Sequence, residues 1–593
     1  MGVSPPGGAG AAASQDEASL LFGRDEPPRW AAWLLPPIAA AVTFSWHWTW
    51  LRADDSLPVG DAGGHLVNVA RHLGWLGGNA LPAESFPPGY YTLAALAVRQ
   101  FGTELDVVVG TTAAFAAMLA FALSWAGART SVAAGILAPA FALAAPMVSA
   151  TTRQVLLDLP VTAIIAVIWV LVYASEGFRR PLPTLLTGAA LAAGALVKYT
   201  LFPWVLPVLV LAGAWMVVRA PLSVLPLGLV APPVMATFDA LKLRSADDLV
   251  REPLTTAMLS AVNHTNAMWL GAAVVLAISC TFATRRWPRA KGLADGAWLA
   301  TAAILAITLV APWFLHAMPV VWEKVQREAI DEVRTTDLAT AMVFVRAIVL
   351  RSWPQGWWLV QAAVVLEAVW IARGLSRWRA EPRFGPVVPI AVACAFGTWF
   401  TVHNLPVDVR YYLPLLVGAC LMLGVGLGRT RVGSWVATPL VLGLLGWQLY
   451  ADRVGDPHRL DSAGFDGART ERLGAWGPFA PPAQSASPLA RSVQTLIREI
   501  ATLNADCDAK VVLVVPRFHE GRSVGIEGRS LKAIAQLHGV RECALQTIEV
   551  GQPVPSGRWI AVAGVRTAEA PAGTYTWQET VAGRLVAIAP TAE

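Results

Sequence analysis

Hydrophobic and polar positions alternate along this chain on the scale of whole membrane crossings. Mainly apolar windows near the roughly 17–25 residues that span a bilayer fall at about 31–51, 107–126, 131–149, 158–175, 182–198, 200–218 and 222–238. Six more lie near 264–283, 296–314, 353–372, 386–402, 411–428 and 433–450. Together they predict about thirteen transmembrane helices. Between them run long mixed stretches, 52–106, 239–262 and 315–352, and a polar tail follows residue 450. Loops of that length are usually functional or disordered.

The pattern changes inside two of the mixed regions. Beyond Asp61, the apolar residues Leu66, Val69, Leu73 and Leu76 recur at helical spacing, with Asp61, His65, Asn68 and His72 on another face. This predicts an interfacial helix with one polar side. After a Gly/Pro/Ala/Ser-rich linker at 451–495, the tail alternates helix and strand periods. Helices are expected at Val493–Leu503 and Ser530–His538, and strands at Lys510–Pro516, Ala544–Val550, Trp559–Ala563 and Arg584–Ala589. That reads as a small α/β domain over 496–593 behind a membrane domain at 30–450. Residues 1–29, rich in Gly, Ala, Pro and Ser without an apolar core segment, read as a disordered cytosolic tail.

Composition agrees with a polytopic membrane protein: 593 residues, 55% hydrophobic, only 14% charged, with 26 Trp. The net charge of +5 does not point to nucleic acid, because basic residues in such chains gather in cytoplasmic loops and orient them. With the N-terminus inside, the short inner loops collect Arg129, Arg179, Arg180, Arg219, Arg285, Arg286, Arg289, Lys291, Arg373, Arg377, Arg379, Arg383, Arg429 and Arg431 against Glu176, Asp295 and Glu381. An odd number of spans then puts the long loops and the C-terminal domain on the extracytoplasmic side of a plasma (inner) membrane. Cys507 and Cys543 are the two cysteines of that domain. An oxidising location permits a disulfide between them, and two free thiols are the alternative.

The ionisable residues with chemical promise lie at the outer ends of helices. Gly60-Asp61-Ala62-Gly63-Gly64-His65 follows the first span, and Phe86-Pro87-Pro88-Gly89-Tyr90-Tyr91 comes later in the same loop. Arg153-Gln154-Val155-Leu156-Leu157-Asp158-Leu159-Pro160 joins two spans, Leu196-Val197-Lys198-Tyr199-Thr200 ends another, and Arg410-Tyr411-Tyr412-Leu413-Pro414 opens a fourth. Each has a plain structural reading: Asp61 and Asp158 as helix caps, Lys198 as a snorkelling side chain, and the tyrosines as interfacial belt residues. Taken together they place two carboxylates and three cations on one side of the membrane.

In order and sidedness these motifs resemble the GT-C membrane glycosyltransferases, in the branch of the protein O-mannosyltransferases and the lipid A aminoarabinose transferase, over roughly residues 30–430. The resemblance implies a GT-C-like helical domain that moves a sugar from a polyprenyl-phosphate carrier to an acceptor at the extracytoplasmic face, with inversion. It implies Asp61 as the first-loop catalytic carboxylate and Asp158 as a second acid orienting the acceptor or a metal. Arg153, Lys198 and Arg410 would meet the lipid phosphate, with His65 and Tyr411 as accessory residues. The chain departs from the family's acidic pair: Asp61 is flanked by Gly60 and Ala62, while Asp54-Asp55 lies closer to the span, so Asp55 is a rival base. A divalent metal is left open, since Asp61, His65 and His72, with His403 or His316, are donor types common for zinc. The rival class is a transporter or flippase of lipid-linked sugar, but transporters carry ionisable groups near the bilayer midplane and often repeat their halves. Neither sugar nor acceptor is legible in these residues.

Overall fold

The computed structural model describes residues 28–52, 57, 61–82, 86–245, 256–287, 290–331, 387–404, 409–428, 431–454, 488–503, 510–517, 526, 528–555, 559–571, 575–581 and 584–590. Its first part is helical: α1 (Arg29–Leu51), α2 (Asp61–Leu76), α3 (Gly89–Phe101), α4 (Leu105–Ala128), α5 (Val132–Leu143), α6 (Pro146–Thr152), α7 (Asp158–Ala174), α8 (Pro181–Val197), α9 (Phe202–Arg219), α10 (Ala231–Ser245), α11 (Thr256–Ala283), α12 (Lys291–Asp331), α13 (Val387–Asn404), α14 (Leu413–Gly428) and α15 (Arg431–Val454). Among the described residues, six segments are long and apolar enough to cross a membrane: Leu105–Ala128, Tyr199–Arg219, Pro221–Leu241, Leu259–Ala283, Lys291–Ala317 and Arg410–Gly428. Shorter apolar helices include Val132–Leu143, Asp158–Ala174 and Pro181–Val197.

Two expected spans differ in detail, each because of proline. The 131–149 window is broken at Ala144–Ala145, where α6 starts afresh with Pro146 in its first turn, a position proline favours because its missing N–H is not needed there. The 222–238 window begins as a 3-10 helix over Pro221–Val230, with Pro226 inside it. The 353–372 window lies outside the described residues. Part of the 315–352 stretch is helix, since α12 continues to Asp331.

Burial separates centre from periphery. Seventy-two per cent of the apolar window is buried in both Leu105–Ala128 and Arg410–Gly428, against 17% in Pro221–Leu241 and Leu259–Ala283. Helix α4 therefore forms the core, packed by α1, α5 and α7, while α10–α12 make an outer group joined through α12 to α8. Helix α14 reaches the core through small residues. Gly424 and Gly428 share one face at i, i+4, and a Cβ on either would land on the backbone of Ala138 or Ala134 in α5. Such small-residue seams let membrane helices approach closely where apolar burial gives no preference for protein over lipid. Ser131 Oγ, 2.6 Å from the Gly428 carbonyl, donates to it across the same seam.

The C-terminal domain holds α16 (Pro488–Thr502), α17 (Gly528–Leu537) and a five-stranded sheet: β1 (Val511–Val515), β2 (Leu545–Glu549), β3 (Trp559–Arg566), β4 (Trp577–Val581) and β5 (Arg584–Pro590). Strand order is β2-β1-β3-β5-β4. β1 pairs in parallel with β2 and β3, while β5 pairs antiparallel with β3 and β4. The continuous apolar run of β1 suits a strand buried on both faces, and all five of its residues are buried. Helix α16 starts at Pro488, inside the segment expected as linker. Cys543 is disulfide-bonded; Cys507, its expected partner, lies outside the described residues.

This domain sits against the first loop. α17 packs on α2, and Glu542 lies 3.8 Å from Arg71 of α2 and 3.3 Å from Lys532 of α17. Arg498 pairs with Glu104 at 2.9 Å, and Thr103 Oγ1 is 3.2 Å from His538 Nδ1. The domain and α2 thus share one side of the molecule.

The α5–α14 seam yields a test. Gly424→Val forces side-chain atoms onto a helix backbone that cannot yield, and overpacking costs typically ~1–3 kcal/mol. The purified variant is expected to melt several degrees below wild type. Gly443 of α15, which has open space beside it, serves as the comparison: Gly443→Val should leave the melting temperature nearly unchanged.

Candidate active site

Four separate stretches of chain converge at one end of the helical core. Asp158 opens α7 in the first turn, where the partial positive charge of a helix N-terminus favours a carboxylate. Lys198 ends α8 with extended backbone (φ −162°, ψ 128°), its N–H bonded to the Gly194 carbonyl. The helix stops there, and a 3-10 turn at Tyr199–Leu201 leads into α9. Lys198 Nζ donates to Asp158 Oδ1 at 2.7 Å, with both side chains less than a tenth exposed. Snorkelling is the plain expectation for this lysine; it turns inward instead, because a buried carboxylate on the neighbouring helix needs a counter-charge.

A second pair stands beside the first. Asp61 opens α2, and Arg410, in a 3-10 turn at Val409–Tyr412 just before α14, donates from Nη2 to Asp61 Oδ2 at 2.8 Å. Here burial is uneven: the Arg410 side chain is 14% exposed and that of Asp61 58%. Tyr411 joins the pairs, its ring centroid 4.5 Å from Lys198 Nζ, within cation–π range. Asp61 and Asp158 both feel the charge of Arg410, and Asp61 also feels Asp158. The two carboxylates and two ammonium or guanidinium groups therefore make one electrostatic unit, with formal charges that cancel.

The Phe-Pro-Pro-Gly-Tyr-Tyr motif supplies the wall. A Cβ on Gly89 would strike the Leu196 carbonyl, so only glycine lets the start of α3 abut the end of α8 beside Lys198. Tyr90 and Tyr91 are then fully buried. Tyr90 Oη meets Thr112 Oγ1 of α4 at 2.7 Å, and Tyr91 Oη meets His65 Nδ1 at 2.8 Å. Phe86 closes edge-on against His65, ring centroids 5.3 Å apart. His72, two turns further along α2, bonds Thr92 Oγ1 at 3.1 Å.

The two histidines of the polar face of α2 are thus covered rather than wet. His65 is 9% exposed and His72 1%, where a surface position is the plain expectation from sequence. Helical spacing separates the two faces of α2, but only the fold shows that α3 lies on the histidine side. Tyr91 and Phe86 are legible as a motif without being recognisable as partners of His65. Arg153 occupies a different set of contacts: its guanidinium stacks 4.0 Å above the Trp50 ring and lies near His47, both towards the end of α1. Asp55 lies outside the described residues.

The environment sets the protonation states. Burial would raise the Asp61 carboxyl, but the Arg410 guanidinium, by charge and hydrogen bond, carries it below its ordinary value. His65 is lowered to about 4, first by burial and then by the Lys198 charge, and His72 to about 4 by burial. Both imidazoles are neutral at physiological pH. As for a metal, no three His, Cys, Asp or Glu side chains among the described residues form a group able to hold one. Of the residues considered as ligands, Asp61 is engaged by Arg410, and one nitrogen each of His65 and His72 by Tyr91 and Thr92.

No family model and no curated protein matches the chain. Among solved structures it is similar to ArnT from Cupriavidus metallidurans in the apo state, with 15% identity, a TM-score of 0.48, and 94% of this chain and 97% of that one covered. It is similar also to the same protein bound to undecaprenyl phosphate, with 14% identity, a TM-score of 0.47, and 93% and 97% covered. At such identity and TM-score, function has to be argued from the side chains of the site.

Two measurements follow from the ion pairs. Lys198→Met leaves Asp158 buried without its partner, and breaking a buried pair from one side costs about 3–5 kcal/mol. The single variant should melt well below wild type, and Lys198→Met with Asp158→Leu should recover most of the loss. Arg410→Gln removes the charge that holds the Asp61 carboxyl down, leaving burial to raise it. By linkage, stability from the Asp61 pair is present above the ordinary carboxylate pKa and is lost as pH falls through the depressed folded value. In the variant the Asp61 carboxyl, followed by infrared or carbon NMR titration, should therefore protonate at higher pH than in wild type.

Proposed function

We propose that this protein is an inverting glycosyltransferase that moves a sugar from a polyprenyl-phosphate carrier to an acceptor hydroxyl at the extracytoplasmic face of the plasma (inner) membrane. The observation that carries the reading is the pair of carboxylate–cation contacts, Asp61 with Arg410 and Asp158 with Lys198, gathered from four helix ends into one site. The full proposal includes about thirteen spans, a cytoplasmic N-terminus and an extracytoplasmic C-terminal domain.

A hydroxyl is a weak nucleophile, and attack on the anomeric carbon is assisted when a positioned base removes its proton. Asp61 is ionised and partly open to solvent, as a base reached by an incoming acceptor must be. As the acceptor oxygen bonds to the anomeric carbon from one face, the bond to the phosphate oxygen breaks on the other. The proton passes to Asp61, and the electron pair leaves with the lipid phosphate. Lys198 and Arg410 stabilise that departing charge in a partly desolvated place, where fixed charges act most strongly. Arg410 suits a phosphate through its planar fork and Lys198 as a point charge. Asp158 holds Lys198 aimed at the place where the phosphate departs. Arg153, stacked on Trp50, is the third cation of this reading.

Incubating the purified protein with a panel of labelled polyprenyl-phosphate sugars tests the activity. Asp61→Asn keeps the side-chain shape but cannot take a proton, and loss of a general base lowers the rate about 10²–10⁴-fold. Transfer should fall by that order while membrane insertion and melting temperature stay near wild type. Undiminished transfer by the Asn variant would remove Asp61 from the chemistry, and absence of transfer from every donor in the panel would count against the transferase itself.

A further inference from the structure

We propose that His65 is a further substrate-contacting residue of this site: with Nδ1 held by Tyr91, its Nε2–H donates a hydrogen bond to the phosphate of the lipid-linked donor. The inference rests on the transferase reading and adds a neutral donor beside the two cations.

Three observations carry it. First, the ring is fixed on one edge only. Nδ1 is 2.8 Å from Tyr91 Oη, and among the described residues nothing else hydrogen-bonds the imidazole, while Nε2 is not sealed among the buried unpartnered atoms. One nitrogen is anchored in the wall and the other is left available. Second, the anchor is rigid. Tyr91 is fully buried, Phe86 packs edge-on at 5.3 Å, and the tyrosine O–H can donate to Nδ1, which selects the tautomer that carries its proton on Nε2. Third, His65 lies one helical turn from Asp61 on the same face, within the fields of Lys198, Asp61, Asp158 and Arg410.

A neutral donor is the group this place can accommodate. Within the two ion pairs the charges already cancel, so a positive charge on the ring of His65 would be uncompensated until phosphate arrived. The imidazole adds a directed N–H at no such cost, and it stays uncharged through the physiological range because burial and the nearby lysine disfavour its protonated form. No proton is transferred in this contact: the hydrogen bond forms with the donor phosphate and strengthens as the sugar–phosphate bond breaks and the oxygen takes up charge.

Two amide replacements separate this role from mere support of Tyr91. Asparagine places its amide where Nδ1 stood and can satisfy Tyr91; glutamine reaches the position of Nε2 and can donate to a phosphate. Binding of undecaprenyl phosphate to the detergent-purified full-length protein would be measured by tryptophan fluorescence and phosphorus NMR. His65→Gln is expected to bind near wild type, whereas His65→Asn weakens binding about tenfold or more, the worth of a hydrogen bond to a charged group, at an unchanged melting temperature. In wild type, nitrogen NMR of selectively labelled histidine should show the His65 Nε2 resonance moving on lipid addition more than Nδ1. A structural role gives the reverse order, with His65→Asn binding like wild type and His65→Gln impaired; that order, or an unmoved Nε2 signal in lipid-bound wild type, overturns the proposal. If folded wild type does not bind the lipid phosphate while Arg410→Gln is equally inert, the transferase reading fails along with it.

Discussion

Burial of the Lys198–Asp158 pair is the constraint from which the rest of the site follows. Two unit charges less than a tenth exposed at the end of an apolar core lose most of their hydration, and their mutual attraction seldom does more than offset that loss. A pair of hydrophobic residues would serve stability as well. What the pair secures is position: α7 must begin where α8 ends, the chain must break from helix at Lys198, and α3 must come close enough through Gly89 to close the wall. The site is therefore written into the meeting of helix ends, where backbone groups are unsatisfied and side-chain charges are best tolerated.

The second pair has a different character, and the contrast suits two roles. Asp61–Arg410 sits at the rim with its carboxylate more than half exposed, so solvent screens it and its contribution to stability is small. It is the pair that an incoming anion can open. A phosphate would draw Arg410 toward itself, and the carboxylate it leaves behind loses the charge that held its proton affinity down. In the proposed reaction donor binding and readiness of the base would thereby be linked, since Asp61, held down by Arg410 in the resting site, would lose that hold in the loaded one. The same exchange at Asp158 is resisted by deeper burial, which fits Asp158 as an orienting group and Asp61 as the proton acceptor.

Much of this is legible in the residues. The apolar windows anticipate the six described segments long and apolar enough to cross a membrane, since span length is set by bilayer thickness and not by tertiary detail. Asp61, Asp158, Lys198 and Arg410 can be singled out because, whatever each does at its own helix end, together they place opposite charges on one side of the chain. Pairing is not legible, because it depends on which helix ends meet. Arg153 shows the limit plainly: it has the same kind of position as Lys198, yet it stacks on Trp50. His65 and His72 fall on the correct face of α2 but are expected in solvent, because periodicity reveals faces and not what covers them. Strand β4 escapes notice since its sequence, Trp577-Gln578-Glu579-Thr580-Val581, carries the mixed polarity of an edge strand, which is where the sheet puts it.

The C-terminal domain bears on the same chemistry through α2. That helix carries Asp61 and His65, and it is packed by α3 on one hand and by α17 on the other. The charged contacts around it, Arg71 and Lys532 with Glu542 and Arg498 with Glu104, are largely at the surface and each is worth at most about 1 kcal/mol. Their main effect is on register, while apolar packing supplies the attraction. An interfacial helix without such a cover would be free to tilt at the bilayer surface, and a tilt that moved its first residue by an ångström would separate Asp61 from Arg410 and turn His65 away from the donor. Support on both sides holds this short helix in place, as the geometry of the proposed reaction would require.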